Sequence, residues 1–231
     1  MFRIISIVCL AGVVVGTAGH YLIFGAKHPE VAREKKEVRR FSIWERLVHA
    51  LTLLSFLTLA ITGFVGVIGY DEPLGGYLML LHYVAAPGFA LGLALLMLTW
   101  VHNCFMEGYD WEWLRHVGGY LGGGKDYPSG RFNAGQKIYF WLAVLAALLV
   151  VASGLGRFFP VFGAEGQDWL LWIHRYSALF LAAAAIGHVY LGTLANPGTW
   201  TVILFGCVSE AWARHHHPLW RKPQERQESQ K

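Results

Sequence analysis

Residues 4–25, 45–70, 77–104, 137–159 and 168–195 each form an apolar run of about 20 residues or more, the length needed to cross the hydrocarbon core of a bilayer. The chain therefore reads as an all-α membrane protein with five spans. The composition agrees: 55% of the 231 residues are hydrophobic, 15% are charged and ten are tryptophan. A soluble domain of this size is not normally so apolar. The connecting segments are short and leave no room for a separate soluble domain.

Lysine and arginine set the expected orientation. Segment 26–46 carries Lys27, Arg33, Lys35, Lys36, Arg39, Arg40 and Arg46. Loop 105–137 adds Arg115, Lys125, Arg131 and Lys137, and the end of the chain adds Arg214, Arg221, Lys222, Arg226 and Lys231. The opposite loops hold Asp71, Glu72 and Glu165 with one cation, Arg157. The basic side is therefore expected to be cytoplasmic, with the N-terminus outside and the C-terminus inside. The net charge of +4 is a topology signal and does not point to nucleic acid. The expected organisation is a transmembrane helix over 1–25, a basic cytoplasmic linker over 26–44, a four-helix core over 45–196 and a cytoplasmic tail over 197–231. The first span also has the look of a signal peptide cleaved near Ala18. Cleavage there would leave the seven-cation segment outside, so a retained helix is the preferred reading. Gly12 and Gly16 form a GxxxG, which suits close helix packing or simply reflects the small residues common in membrane helices.

Ionisable side chains inside spans are costly and usually functional. His174 and His188 stand fourteen residues apart in the last span, on nearly one helix face and roughly 21 Å apart along the axis. His49, His82 and His102 lie in the second and third spans. With the orientation above, His82 matches the outer depth of His174, and His49 the inner depth of His188. A neutral imidazole is a good axial ligand for haem iron. Two bis-histidine haems, one above the other, use all four. Any single histidine is equally well explained as a hydrogen-bonded interhelical residue, but four at matching depths are not. The cysteines Cys9, Cys104 and Cys207 are scattered, which disfavours iron–sulfur clusters, covalent haem attachment and a disulfide framework. Acidic residues are almost absent from the spans, which disfavours a carboxylate proton relay.

Around these histidines, Gly63, Gly66, Gly88 and Gly92 leave room for a porphyrin or serve ordinary helix packing. Pro87 is expected to bend its helix. Arg175, beside His174, calls for a partner, met equally by a haem propionate or by the headgroups. The run "HHHP", His215 to His217, could bind a metal, but a solvated basic tail is the preferred reading. The segment "GRFNAGQKIYFW" opens the fourth span, with Asn133 as a helix cap. Its position on the side of the inner haem suggests a second use. Asn133 and Gln136 carry hydrogen-bonding groups and Gly135 permits close approach, as a quinone head group would require. His102 is expected near the same region.

The segments "SIWERLVHALTLLSFLTLAITG", "LHYVAAPGFALGLALLMLTWVHN", "RFNAGQKIYFW", "LLWIHRYSALFLAAAAIGHVYLG" and "GCVSEAWARHHHPLW", in this order over roughly residues 39–222, resemble the cytochrome b (gamma) subunit of respiratory membrane-bound formate dehydrogenases. The wider group includes the cytochromes b of hydrogenases and thiosulfate reductases. The resemblance implies a four-helix dihaem core with two haem b groups. His82 and His174 match the outer-haem ligands and His49 and His188 the inner pair. Asn133, Gly135 and Gln136 match a menaquinone pocket near His188. It also implies an iron–sulfur (beta) subunit and a molybdenum- or tungsten-dependent catalytic (alpha) subunit on the outer face of the bacterial inner membrane, with electrons passing to menaquinone. This chain would be an electron-transfer subunit that does not itself oxidise formate. Helix 1–25 and Arg175 depart from the pattern. A hydrogenase or thiosulfate/polysulfide reductase partner, and a haem-free membrane anchor, are the competing expectations.

Overall fold

The computed structural model describes residues 1–33, 37–70, 74–122 and 125–220. Lys35, Lys36, Asp71, Glu72, Arg221, Lys222, Arg226 and Lys231, which entered the charge count, lie outside the described residues. Five helices are long and apolar enough to cross a membrane. They are α1 (Phe2–Phe24), α2 (Ile43–Phe64, continuing as a π-helical stretch Val65–Tyr70), α3 (Gly76–Trp100, extended by a 3-10 turn Val101–Asn103), α5 (Ala134–Phe158) and α6 (Ala164–Gly192). The chain is a multi-pass helical membrane protein. Apolar side chains such as Leu54, Leu57, Ile61, Leu145, Leu148 and Leu149 remain exposed on these helices, as a lipid-facing surface requires. Short helices α4 (Asp110–Arg115), α7 (Thr201–Phe205) and α8 (Glu210–His216) and two short strands, β1 (Glu37–Arg39) and β2 (Cys207–Ser209), complete the described elements.

Helix starts are set by local chemistry. At α2, Ser42 N–H donates to Glu45 Oε2 (2.8 Å) and Glu45 N–H to Ser42 Oγ (3.2 Å), a reciprocal capping box written in the sequence as S-x-x-E. At α5 the same device is built from Asn133 and Gln136, with bonds of 3.0 and 2.9 Å. Ser209 caps α8 by accepting from Trp212 N–H. Helix α3 remains helical through Pro87.

The chain divides into two compact units. The first comprises Met1–Gly16, Leu47–Leu98 and Leu142–Gly187. Here α2 and α3 approach closely: a Cβ on Gly88 would meet Ser55 Oγ at 2.8 Å, and one on Gly92 would meet Thr52 Oγ1 at 2.7 Å and its Cα at 3.1 Å. Gly88 and Gly92 therefore have a helix-contact reason, which supports the packing reading for this pair. The start of α1 docks through Phe2, whose ring meets Tyr176 edge-on at 5.2 Å. The Arg175 guanidinium lies 5.4 Å over the same Phe2 ring, a cation–π contact. A Cβ added at Gly12 or Gly16 would meet nothing within 4 Å, so the GxxxG packs against no described part of this chain.

The second unit comprises Thr17–Arg46, Thr99–Trp141 and His188–Lys231. Strands β1 and β2 pair antiparallel, with Val38 opposite Val208. Arg40 is buried, with its guanidinium 4.9 Å over Trp212 and 5.2 Å over Trp220. It donates to Arg131 O (2.8 Å) and to His217 Nε2 (3.0 Å), while His217 Nδ1–H donates to Gly130 O (2.8 Å). Burial lowers Arg40 to about 9, so it stays charged at neutral pH. Burial and the Arg40 charge push His217 well below the usual imidazole range. The expectation of a solvated tail thus fails at His216 and His217, because an arginine from β1's flank and the Trp212 ring enclose them.

Candidate haem site

In the first unit, His82 on α3 and His174 on α6 face each other, ring centroids 6.2 Å apart. Each ring is held at Nδ1. Thr62 Oγ1 donates to the Thr58 carbonyl (2.7 Å) and so accepts from His82 Nδ1–H (2.8 Å). His174 Nδ1 lies 3.0 Å from the Val150 carbonyl, which can only accept, and 3.2 Å from Ser153 Oγ. Both Nδ1 atoms are therefore the ones that donate, and Nε2 is the nitrogen that could coordinate a metal. This is the outer-shell arrangement that fixes tautomer and ring orientation at metal-binding histidines.

The spacing fits one iron. With metal–imidazole bonds of about 2 Å, two rings on opposite faces of a metal stand roughly 6 Å apart between centroids. Two glycines flank the pair. A Cβ on Gly63 would reach 3.7 Å from His82 Cε1, and one on Gly154 would reach 3.3 Å from His174 Cε1. Gly63, which the sequence associated with His49 on the same helix, lies beside His82 instead, and Gly154 was missed. Thr62, Ser153 and Val150 were also missed. A hydroxyl twenty residues from a histidine carries no local signal of its use.

The other candidates are distributed as follows. His49 is half-buried on the α2 stretch of the first unit. His188 stands in the second unit, its ring stacked on Tyr139 at 4.4 Å and 6°. Asn133 and Gln136 spend their side-chain oxygens on the α5 capping box, and among the described residues their NH2 groups make no hydrogen bond. Gly135 has a packing reason of its own: a Cβ there would lie 2.7 Å from Trp113 Cη2. His102 is exposed on the 3-10 turn after α3. Arg175 is engaged by Phe2. Beside the Asn133 segment, Lys137 Nζ donates to Asp110 Oδ2 at 2.7 Å, both side chains fully buried, a pair that the sequence reading did not anticipate.

Five membrane-length helices, two of them bringing histidine rings to 6.2 Å between centroids, make a multi-pass membrane protein with a candidate haem site. Comparison with known proteins narrows the class. The family described as prokaryotic cytochrome b561 matches residues 40–206, and the chain belongs to that family. Its resident group is haem b, and its role is electron transfer in a membrane. The match begins at residue 40, after α1. Two relatives from Escherichia coli (strain K12) extend across most of the chain. The formate dehydrogenase cytochrome b556(fdo) subunit is 28% identical over 203 residues, covering 81% of this chain and 93% of its own. The nitrate-inducible formate dehydrogenase cytochrome b556(Fdn) subunit is 26% identical over 210 residues, covering 86% and 96%. The formate dehydrogenase cytochrome b556 subunit of Haemophilus influenzae is 30% identical over 132 residues, covering 54% and 55%.

Proposed function

We propose that this chain is the membrane-anchoring dihaem cytochrome b subunit of a formate dehydrogenase, carrying electrons from a periplasmic iron–sulfur subunit to menaquinone near the cytoplasmic side. The observation that carries the reading is the His82–His174 pair, rings 6.2 Å apart and each held at Nδ1, which leaves Nε2 as the atom that could take a metal. The two long relatives, both named as formate dehydrogenase cytochrome b subunits, support the choice of complex. A bound haem b supplies reversible one-electron storage in a medium that excludes free ions. His82 and His174 would hold one such group. Assigning His49 and His188 to a second rests on their matched depths along the sequence. Asn133 and Gln136 hold unspent amide donors that suit quinone carbonyl oxygens. Protons taken up from the cytoplasm with those electrons make the overall transfer electrogenic without a proton channel.

The test is a formate-driven reduction spectrum of the complex copurified through this chain. Two haem b per chain, extractable by acid organic solvent and reduced by formate, are expected. His82→Ala should remove one haem and leave the other. One haem per wild-type chain would sink the second assignment, and reduction by hydrogen or a sulfur compound in place of formate would move the subunit to another complex.

A further inference from the structure

Three segments distant in sequence converge in the second unit: His28 just after α1, Asp126 in the loop before α5, and His215 on α8. His28 Nε2 lies 3.1 Å from Asp126 Oδ1, and His215 Nδ1 lies 2.6 Å from Asp126 Oδ2. The two imidazoles stack at 4.8 Å between centroids, and one ligand atom from each of the three residues lies within 4.8 Å of the others. Metal bonds of about 2.0–2.1 Å in a tetrahedral site put ligand atoms roughly 3.3 Å apart. The two histidine–carboxylate distances lie at or below that spacing, and the set as a whole spans no more than 4.8 Å.

The state of His28 points to what fills the cluster. Its Nδ1 lies 3.2 Å from Glu30 Oε1, so Nδ1 carries a proton donated to that carboxylate. The ring Nε2 faces a second carboxylate, that of Asp126: it is a buried atom that forms no hydrogen bond among the described residues despite the 3.1 Å approach. A buried ring nitrogen set beside a carboxylate oxygen outside hydrogen-bond geometry is placed to share a cation with it. The Glu30–His28 contact is also the carboxylate–histidine arrangement that orients metal-bound imidazoles. His28 is held there with a positive φ of +49°, a conformation rare for residues other than glycine and found preferentially at functional sites.

We propose that His28 Nε2, the Asp126 carboxylate and His215 Nδ1 form a site for a borderline divalent cation of the zinc class, with water completing a tetrahedron on the exposed His215 side. Two imidazoles and one carboxylate suit zinc and not calcium or magnesium, which prefer all-oxygen shells. The ion would fasten the segment after α1 to the loop before α5 and to α8. This is independent of the haem and quinone assignments.

The test uses the full chain, tag-free and haem-loaded, dialysed against micromolar zinc and measured by elemental analysis, with cobalt(II) absorption reporting the ligand set. One zinc per chain is expected in the wild type and in His116→Ala, which alters a histidine outside the cluster. Asp126→Asn and His215→Ala should each lose the zinc while keeping the haem spectrum, which reports that the fold survives. Glu30→Gln should weaken binding about ten- to a hundredfold, the effect of an outer-shell loss. Zinc absent from the haem-loaded wild type, or retained in both ligand variants, overturns the site. The cluster would then be a hydrogen-bonded imidazolium–carboxylate group.

Discussion

At the scale of single residues, the informative atoms are the ones behind the ligands. His82 is kept in one tautomer by a threonine hydroxyl whose own proton is committed to the Thr58 carbonyl. Thr62→Val keeps the shape and removes one acceptor, leaving the Leu59 carbonyl as the remaining partner of the His82 ring, a loss of about 0.5–1.5 kcal/mol. Haem affinity at this site should fall about two- to tenfold, read as haem per chain across a haemin titration of the apo-protein. Unchanged affinity would mean that the hydroxyl has no part in orienting His82. On the other ligand the acceptor is a backbone carbonyl, Val150 O. No side-chain substitution at 150 deletes it, and Ser153→Ala should therefore have a smaller effect than Thr62→Val.

At the scale of elements, the start of α5 has a structural use and a proposed functional one. The Asn133–Gln136 capping box closes the helix with the oxygens and leaves the amide nitrogens unspent. If capping is all these residues do, Gln136→Ala lowers stability by about 1 kcal/mol and leaves turnover per haem untouched. The proposed quinone contact adds a kinetic effect: haem reoxidation by menaquinone should slow about tenfold or more, with haem content and donor-side reduction intact, for a loss of one to three kcal/mol of positioning. Stopped-flow reoxidation separates the two, and wild-type rates with full haem content would rule out the contact. The α2–α3 approach is a further element-level feature. Gly92→Val would drive a side chain into the Thr52 backbone, where a rotamer change gives no relief, so cooperative thermal stability should drop.

At the scale of the whole molecule, the arrangement of charge predicts which way the chain faces. Buried Arg40 and the Asp110–Lys137 pair lie in the second unit, with most of the described lysines and arginines of the charge count. A reporter fused after Lys231 should be active only in the cytoplasm, and one fused before Met1 only in the periplasm. An opposite result at the C-terminus would reverse the proposed electron path, since the quinone segment would then face outward.

What the sequence by itself determined is the part governed by the solvent. A bilayer admits few backbone solutions, so the length of an apolar run is enough to specify a helix, and all five spans lie where hydropathy put them to within a few residues at each end. The same medium makes a histidine in such a run conspicuous, which is why His82 and His174 were legible as partners. The cap at Asn133 was legible too, whereas the reciprocal boxes of "SIWE" and "NAGQ" came to light only in the structure. Only the tertiary structure decided which atoms those residues meet. Gly88 and Gly92 turned out to seat Ser55 and Thr52, and Gly154, far along the chain, lies beside a ligand. His217 reads as a tail residue until Arg40, 177 positions away, closes over it. His28, Asp126 and His215 carry no common motif. Their convergence depends on where three separate connections run, and no local pattern of apolar and polar residues encodes it, because each pattern specifies its own element and not that element's neighbours.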